Sequence, residues 1–583
     1  MNPFVRRTTL LALGLIHAGL IAHTAWVKSP GVDEVGHLAA GLSHVAFGTF
    51  DLYRVNPPLH RLPAGVVLLA ANPRMEWDAY QPGAVDRSEF NLGAELAKQN
   101  PDRYRDLVFL ARIACLPWAI FGLGMCYVCG RDLYGPAAGL FAAGIWAFCP
   151  ETIAHGAMVT PDIAGASFGL LAAYAFWRWL RRPGWVAATL AGVAVGLAWL
   201  SKFTWIVLLP AIWPLLALVW LWRDRADARR LAVSMSQVAG MFVVALLLLN
   251  AGYGFEDVGR PLGEFEFRSV SLGGESARGW GKLGNRFRET PLESLPVPLP
   301  RNVLLGIDVQ KEDFENGIRS YLNGRWEERG WWYYYIYATA FKLPIGLWLL
   351  AIFAVCRGRF RRDELAIVSP GVALFVLVSA QTGFNHHLRY ILPALPFLFV
   401  FIGRLVAGPA AVATRLTRAA VAGAFVWLVA ACLWVHPHEL SYFNELAGGP
   451  RNGHAHLVDS NIDWGQDLWL LKKWLDENRH GRPLGFAYFS GLIYPQWFGI
   501  NHGLPPDDPR PGLYAVSVNY LRGIHFGVPD GRGGRETIES PRWTYFQEFE
   551  PVATAGYSIY IYDLSPEEVN RVRRRLGLEP LPQ

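Results

Sequence analysis

Long runs without charge, separated by short stretches rich in arginine, restrict this chain more than any other feature. Inside a bilayer every backbone polar group must be satisfied within its own segment, and about 20 consecutive apolar residues in helical form cross a hydrocarbon core of ~30 Å. Eleven such runs are read here, near 9–27, 107–128, 136–155, 163–180, 185–200, 203–222, 231–252, 336–356, 365–381, 390–406 and 418–436. Only 17% of the residues are charged and 52% are hydrophobic, which is too apolar for a disordered chain. The fold class expected is an α-helical polytopic membrane protein with about 11 transmembrane helices.

The basic residues set an orientation. One set of connections holds seventeen arginines: Arg6, Arg7, Arg131, Arg178, Arg181, Arg182, Arg223, Arg225, Arg229, Arg230, Arg357, Arg359, Arg361, Arg362, Arg404, Arg415 and Arg418. The short connections of the other set hold only Lys202 and Arg389. By the positive-inside rule the N-terminus is cytoplasmic, and an odd number of spans places the C-terminus outside. The net charge of +6 is absorbed by this bias, so nucleic acid is not an expected partner. The first run follows Arg6 and Arg7, exceeds a signal core in length and lacks Ala-x-Ala, so it reads as a retained anchor. The six cysteines fall in or beside apolar runs, and Cys126-x-x-Cys129 reads as packing.

Three long polar segments, 28–106, 254–335 and 437–583, then share the outer side. That asymmetry suits chemistry outside the membrane on a substrate delivered by a lipid. The first segment opens with Asp33-Glu34 just beyond a span. Val35, Leu38, Leu42 and Val45 continue at helical spacing, so the acidic pair lies at the N-terminal end of a helix resting on the membrane surface. Helix capping is the plain reading of the pair, and a catalytic carboxylate the sharper one. Asn56-Pro57-Pro58-Leu59 fixes a turn, and a second amphipathic stretch runs to about 71.

Other charges sit at outer boundaries. In Thr160-Pro161-Asp162, Asp162 either caps a helix or faces the same cavity as Asp33. Lys202, Lys342 and Arg389 each read singly as snorkelling residues; together they form a set able to hold a lipid-linked phosphate. Trp331-Trp332-Tyr333-Tyr334-Tyr335 reads as an interfacial aromatic belt, with sugar stacking as the alternative. In the last segment, Asp463 and Gln466 resemble a capping box before a helical face of Leu468, Leu471 and Leu475. Strand-like runs at 484–490, 513–520 and 557–562 predict a small α/β domain over 437–583, following a membrane domain over 1–436. No Walker-type phosphate loop and no His/Cys cluster with zinc spacing appears.

These pieces, in this order, resemble the polytopic glycosyltransferases of the C superfamily (GT-C), namely the bacterial relatives of protein O-mannosyltransferases and the aminoarabinose transferases of lipid A. The resemblance rests on Asp33-Glu34, Asn56-Pro57-Pro58-Leu59, Thr160-Pro161-Asp162, Gly196–Lys202, Lys342-Leu343-Pro344 and His387-Leu388-Arg389-Tyr390-Ile391-Leu392-Pro393, and covers roughly residues 1–440. It implies the GT-C fold and a multi-pass location in the bacterial plasma membrane. It implies a polyprenyl-phosphate sugar donor in the outer leaflet and inverting transfer to an acceptor hydroxyl of a protein, lipid or glycan. By position, Asp33 is then the general base and Glu34 orients it or the acceptor. Asp162 tunes Asp33 or binds a divalent metal ion, if one is used. Lys202, Lys342, Arg389 and His387 then surround the donor phosphate. A transporter or flippase of lipid-linked sugars is the alternative; it calls for polar groups along the spans, which hold few.

Overall fold

The structure, a computed structural model, describes residues 2–582 except 79, 81–86, 359, 408–413 and 540. Arg359, counted above, therefore lies outside the described residues. In chain order the first helices are α1 (Pro3–Val27), α2 (Val32–Phe47), α3 (Leu62–Ala71), α4 (Glu89–Gln99), α5 (Tyr104–Tyr134), α6 (Pro136–Phe148), α7 (Pro150–Gly156), α8 (Pro161–Arg181), α9 (Trp185–Ser201), α10 (Thr204–Arg223) and α11 (Ala228–Gly252). After a one-turn α12 (Val270–Gly273) come α13 (Arg301–Asn316), α14 (Tyr334–Lys342), α15 (Ile345–Cys356), α16 (Arg362–Ala380), α17 (Leu395–Ile402) and α18 (Arg415–Val435).

All eleven expected runs are helical, but not all are straight spans. Among the described residues, seven helices are long and apolar enough to cross a membrane, or up to nine if each of two bent pairs counts as one span. The expected run 136–155 bends by 62° between α6 and α7, and 336–356 bends by 115° between α14 and α15. Pro150 and Pro344 explain both breaks. Proline lacks the N–H that continues the helical ladder and forces its predecessor out of the helical region. Cys149 and Leu343 are accordingly extended, with ψ 123° and 142°. The chain is a multi-pass membrane protein with fewer simple crossings than its hydropathy alone predicts.

Helices α5, α6, α8, α9, α16 and α17 carry most of one continuous apolar core. Small residues let them approach closely. A Cβ on Gly192 of α9 would lie 2.6 Å from the carbonyl oxygen of Met241 in α11, so a side chain there would push the pair apart.

Helix α2 is packed within the protein: Glu34 through His44 are all buried. Helices α3 and α4 cover it, and Gly41 of α2 meets Gly65 of α3 backbone to backbone. The last segment supplies the sheet. Strands β3 (Leu484–Ala487), β4 (Gly512–Ser517), β7 (Ala553–Ala555) and β8 (Ile559–Leu564) pair in the order β3-β4-β8-β7, with β3–β4 parallel and the other pairs antiparallel. The hairpins β1 (Ser320–Leu322)–β2 (Arg325–Glu327) and β5 (Gly527–Pro529)–β6 (Arg535–Thr537) stand apart from it. Helix α19 (Gly453–His456) and helix α20 (Leu468–Asn478) precede the sheet, α21 (Val518–Leu521) follows β4, and α22 (Pro566–Arg575) closes the chain.

The expected capping box at Asp463 and Gln466 does not form. Helix α20 begins at Leu468, and both side chains turn back into the preceding loop. Gln466 Oε1 accepts from Trp464 N at 2.6 Å and Asp463 Oδ1 from Gly465 N at 2.9 Å. This loop is pinned to the helices rather than free of them. Lys28 Nζ donates to Asp467 at 2.5 Å, Ser29 Oγ donates to the Gly465 carbonyl at 2.8 Å, and Leu388 N donates to Asn461 Oδ1 at 3.0 Å.

Candidate active site

Gly31 caps α2, so Asp33 and Glu34 both occupy its first turn, where carboxylates favour the free N–H groups. Successive helical residues point about 100° apart, and here the two acids face different surroundings. Glu34 is fully buried. It accepts from Arg112 Nη2 at 2.6 Å, from Arg112 Nε at 2.9 Å and from Val159 N at 2.8 Å. Arg112 also donates to the carbonyls of Ala25 and Lys28, each at 2.7 Å. With its oxygens thus occupied, Glu34 anchors the start of α2 and so positions Asp33.

Asp33 remains 22% exposed and meets Arg389 Nη2 at 2.6 Å. From there the charges alternate. Arg389 Nη1 lies 3.6 Å from Asp162, and Asp162 accepts from Lys202 Nζ at 2.6 Å. Arg389 also lies over the Trp464 ring, 4.4 Å from its centre. Four of the anticipated residues, from α2, α8, the end of α9 and the segment before α17, therefore form one chain: Asp33, Arg389, Asp162, Lys202.

Two cavities meet on this chain. The first, of ≈410 Å³, is lined by Asp33, Asp162, Lys202, Arg389, His387, Arg87 and Asp313, with Val207, Leu377 and Val378 on its apolar side. Val207 of α10 is 58% exposed, so this side opens onto the outer surface of the bundle. The second, of ≈450 Å³, is lined by Trp326, Trp464, Phe489, Phe526, Arg319 and Arg535 among others. Asp33, Arg87, Phe384 and His387 border both. The first cavity is lined by the cations Arg87, Lys202, Lys311 and Arg389 and the carboxylates Asp33, Asp162 and Asp313.

Lys342 is not part of this arrangement. It is buried, and its ammonium donates to the carbonyls of Leu440 at 2.6 Å and Asn461 at 2.7 Å, with Glu151 at 3.3 Å. The 115° turn after α14 carries it under the C-terminal loop instead of into the cavity. His387 does line the cavities, but burial holds its imidazole well below the ordinary range, so it stands neutral there. Asp162 offers little to a metal ion, with Lys202, Arg389 and, at 3.9 Å, His155 already around it.

The sequence reading missed Arg87 and Asp313. Arg87 pairs with Glu89 at 3.2 Å and lies 3.7 Å from Asp313 of α13. Burial pushes the Asp313 carboxyl up to about 6 despite the pull of Arg87. Neither residue sits in a motif, and only the folding of two long polar segments brings them to Asp33.

Beside the site, burial pushes Asp463 up to about 8, against bonds from Ser517 and Gly465 that favour its charged form. An acid raised in the folded state holds a proton that the unfolded chain has already lost, so this group's contribution to stability falls as pH rises from about 4 to about 8 and is level above it. Asp463→Asn mimics the protonated acid. We expect thermal unfolding of the variant to lack the decline of up to ~1.4 kcal/mol per pH unit that one such proton gives the wild type.

Residues 106–251, from α5 to α11, match the family model of dolichyl-phosphate-mannose-protein mannosyltransferases. The resemblance to GT-C glycosyltransferases read from the sequence is thereby supported over that segment. A search of curated proteins finds no match. Among solved structures the chain is similar to ArnT from Cupriavidus metallidurans in the apo state, with 15% identity, a TM-score of 0.41 and coverage of 91% of this chain and 98% of that one. It is also similar to the same organism's ArnT bound to undecaprenyl phosphate, with 13% identity, a TM-score of 0.41 and coverage of 96% and 98%. A third is the apo oligosaccharyltransferase of Archaeoglobus fulgidus, with 13% identity, a TM-score of 0.41 and coverage of 89% and 70%.

Proposed function

We propose that this chain is an integral-membrane glycosyltransferase that moves a sugar from a polyprenyl-phosphate donor to a hydroxyl of a protein, lipid or glycan acceptor, with inversion. The single observation that carries this reading is the position of Asp33, at the junction of a charged cavity open to the apolar surface of the bundle and a second cavity walled by aromatic side chains. A phosphodiester-linked sugar carries one negative charge, for which Lys202 and Arg389 stand in the wall of the first cavity. Its prenyl chain then lies along α10 and α16 in the bilayer.

The acceptor hydroxyl enters from the second cavity. Asp33 takes its proton as the oxygen bonds to the anomeric carbon, and the bond from that carbon to the phosphate oxygen breaks. The phosphate leaves with a second negative charge, which Lys202 and Arg389 are placed to stabilise. One displacement on one face of the sugar gives inversion. Asp162 keeps both cations aligned, and Glu34 holds α2 so that Asp33 faces the junction. In this reading the membrane is a bacterial plasma membrane, the arginine bias favours a cytoplasmic N-terminus, and the site and the 437–583 segment lie outside. The test is mass spectrometry of glycolipids and exported glycoproteins from a deletion strain. Wild-type complementation should restore a glycan product that the Asp33→Asn gene does not. An unchanged glycan profile on deletion overturns the reading.

A further inference from the structure

Beside the second cavity, two consecutive imidazoles meet one carboxylate. His386 and His387 end the connection that follows α16, and Asp459 opens a 3₁₀ turn of the C-terminal segment. One ligand atom from each lies within 4.8 Å of the others. Their side chains are only 10%, 8% and 15% exposed. The carboxylate is fixed from behind: Ser460 N donates to its Oδ1 at 2.5 Å, and the Asp459 backbone N–H donates to Asn519 Oδ1 at 2.7 Å.

The ring nitrogens stand close to the carboxylate oxygens. His386 Nδ1 stands 3.2 Å from Asp459 Oδ2, and His387 Nδ1 stands 3.5 Å from Oδ1. His386 Nδ1 thus shares a hydrogen bond with the carboxylate, while the longer His387 separation leaves room between ring and oxygen. Ligands around a tetrahedral ion with bonds of ~2.0–2.1 Å stand about 3.3–3.4 Å apart, which these separations bracket. His387 Nδ1 also shares a hydrogen bond with Ser460 Oγ, which an ion at this nitrogen would displace.

We propose that His386, His387 and Asp459 bind one divalent transition-metal ion. Two imidazoles and one carboxylate match zinc, with three protein ligands leaving a coordination position for water or a substrate oxygen. All three residues line the second cavity. The ion would also tie the loop that presents Arg389 to the turn that presents Trp464, and so fix the cation that holds Asp33. This site does not depend on the glycosyl-transfer reading.

Full-length, tag-free protein, expressed with added zinc and purified in detergent, should retain about one zinc per chain by elemental mass spectrometry. His386→Gln and Asp459→Asn should each lose the ion, while Asp33→Asn keeps it. Removal with a chelator should lower the melting temperature of the wild type and leave that of both variants unchanged. Metal-free wild type, or zinc retained in both ligand variants, overturns the proposal. If a variant does not fold, cobalt(II)-loaded wild type decides: the strong visible bands of a low-coordinate site support the proposal, and the spectrum of the hydrated ion overturns it.

Discussion

Asp33→Asn should abolish sugar transfer, a loss of roughly 10²–10⁴-fold, while the protein folds and still binds a polyprenyl-phosphate sugar. The amide keeps the shape of the side chain and its place beside Arg389 but cannot take a proton. Stability should change little, because Asp33 is part-exposed and Glu34, not Asp33, anchors the helix. The measurement is paired: turnover of a short-chain polyprenyl-phosphate sugar by reconstituted protein, and donor binding by the same sample. Full turnover in the variant would remove Asp33 from the chemistry and end the mechanism built on it. Loss of binding together with turnover would instead make Asp33 a donor-site residue.

The largest effect on stability should come from Arg112→Met. Arg112 and Glu34 are 1% and 0% exposed, and the bond between them is 2.6 Å. Removing one partner leaves a buried carboxylate without its countercharge, a loss of about 3–5 kcal/mol. The carbonyls of Ala25, Lys28 and Ser29 lose their donor as well. A lowered detergent melting temperature in Arg112→Met, restored in part in the double variant Glu34→Gln/Arg112→Met, is the expected pattern, since the three carbonyls still lack their donor. If the double variant were no more stable than the single one, the burial of an unpaired charge would not be the cause.

Much of this architecture could be read from residue order because membrane spans advertise themselves by length and lack of charge. Breaks inside a run do not. Pro150 and Pro344 interrupt two runs whose hydropathy is continuous, so the bends at α6–α7 and α14–α15 appear only in three dimensions. The same limit applies to the site. Asp33, Asp162, Lys202 and Arg389 sit at span boundaries, where a lone charge stands out, and they do converge. Lys342 stands at such a boundary too, yet the turn after α14 directs it elsewhere. Adjacent acids cannot be told apart by spacing, and it took the burial of Glu34 to separate an anchor from the acid that faces the cavities. Arg87, Asp313 and Asp459 lie in long polar segments without periodicity, where nothing local marks a residue as facing a cavity.

The two chambers that share Asp33, Arg87, Phe384 and His387 carry a consequence for how the protein cycles. Under the proposed function, neither substrate has to pass through the other's doorway: the donor would slide in sideways from the bilayer, and the acceptor would come through the second chamber. A direct displacement would then require both to be seated together, with no sugar parked on the protein between visits, and the spent carrier would drift back along the bilayer while the product left by the opposite route.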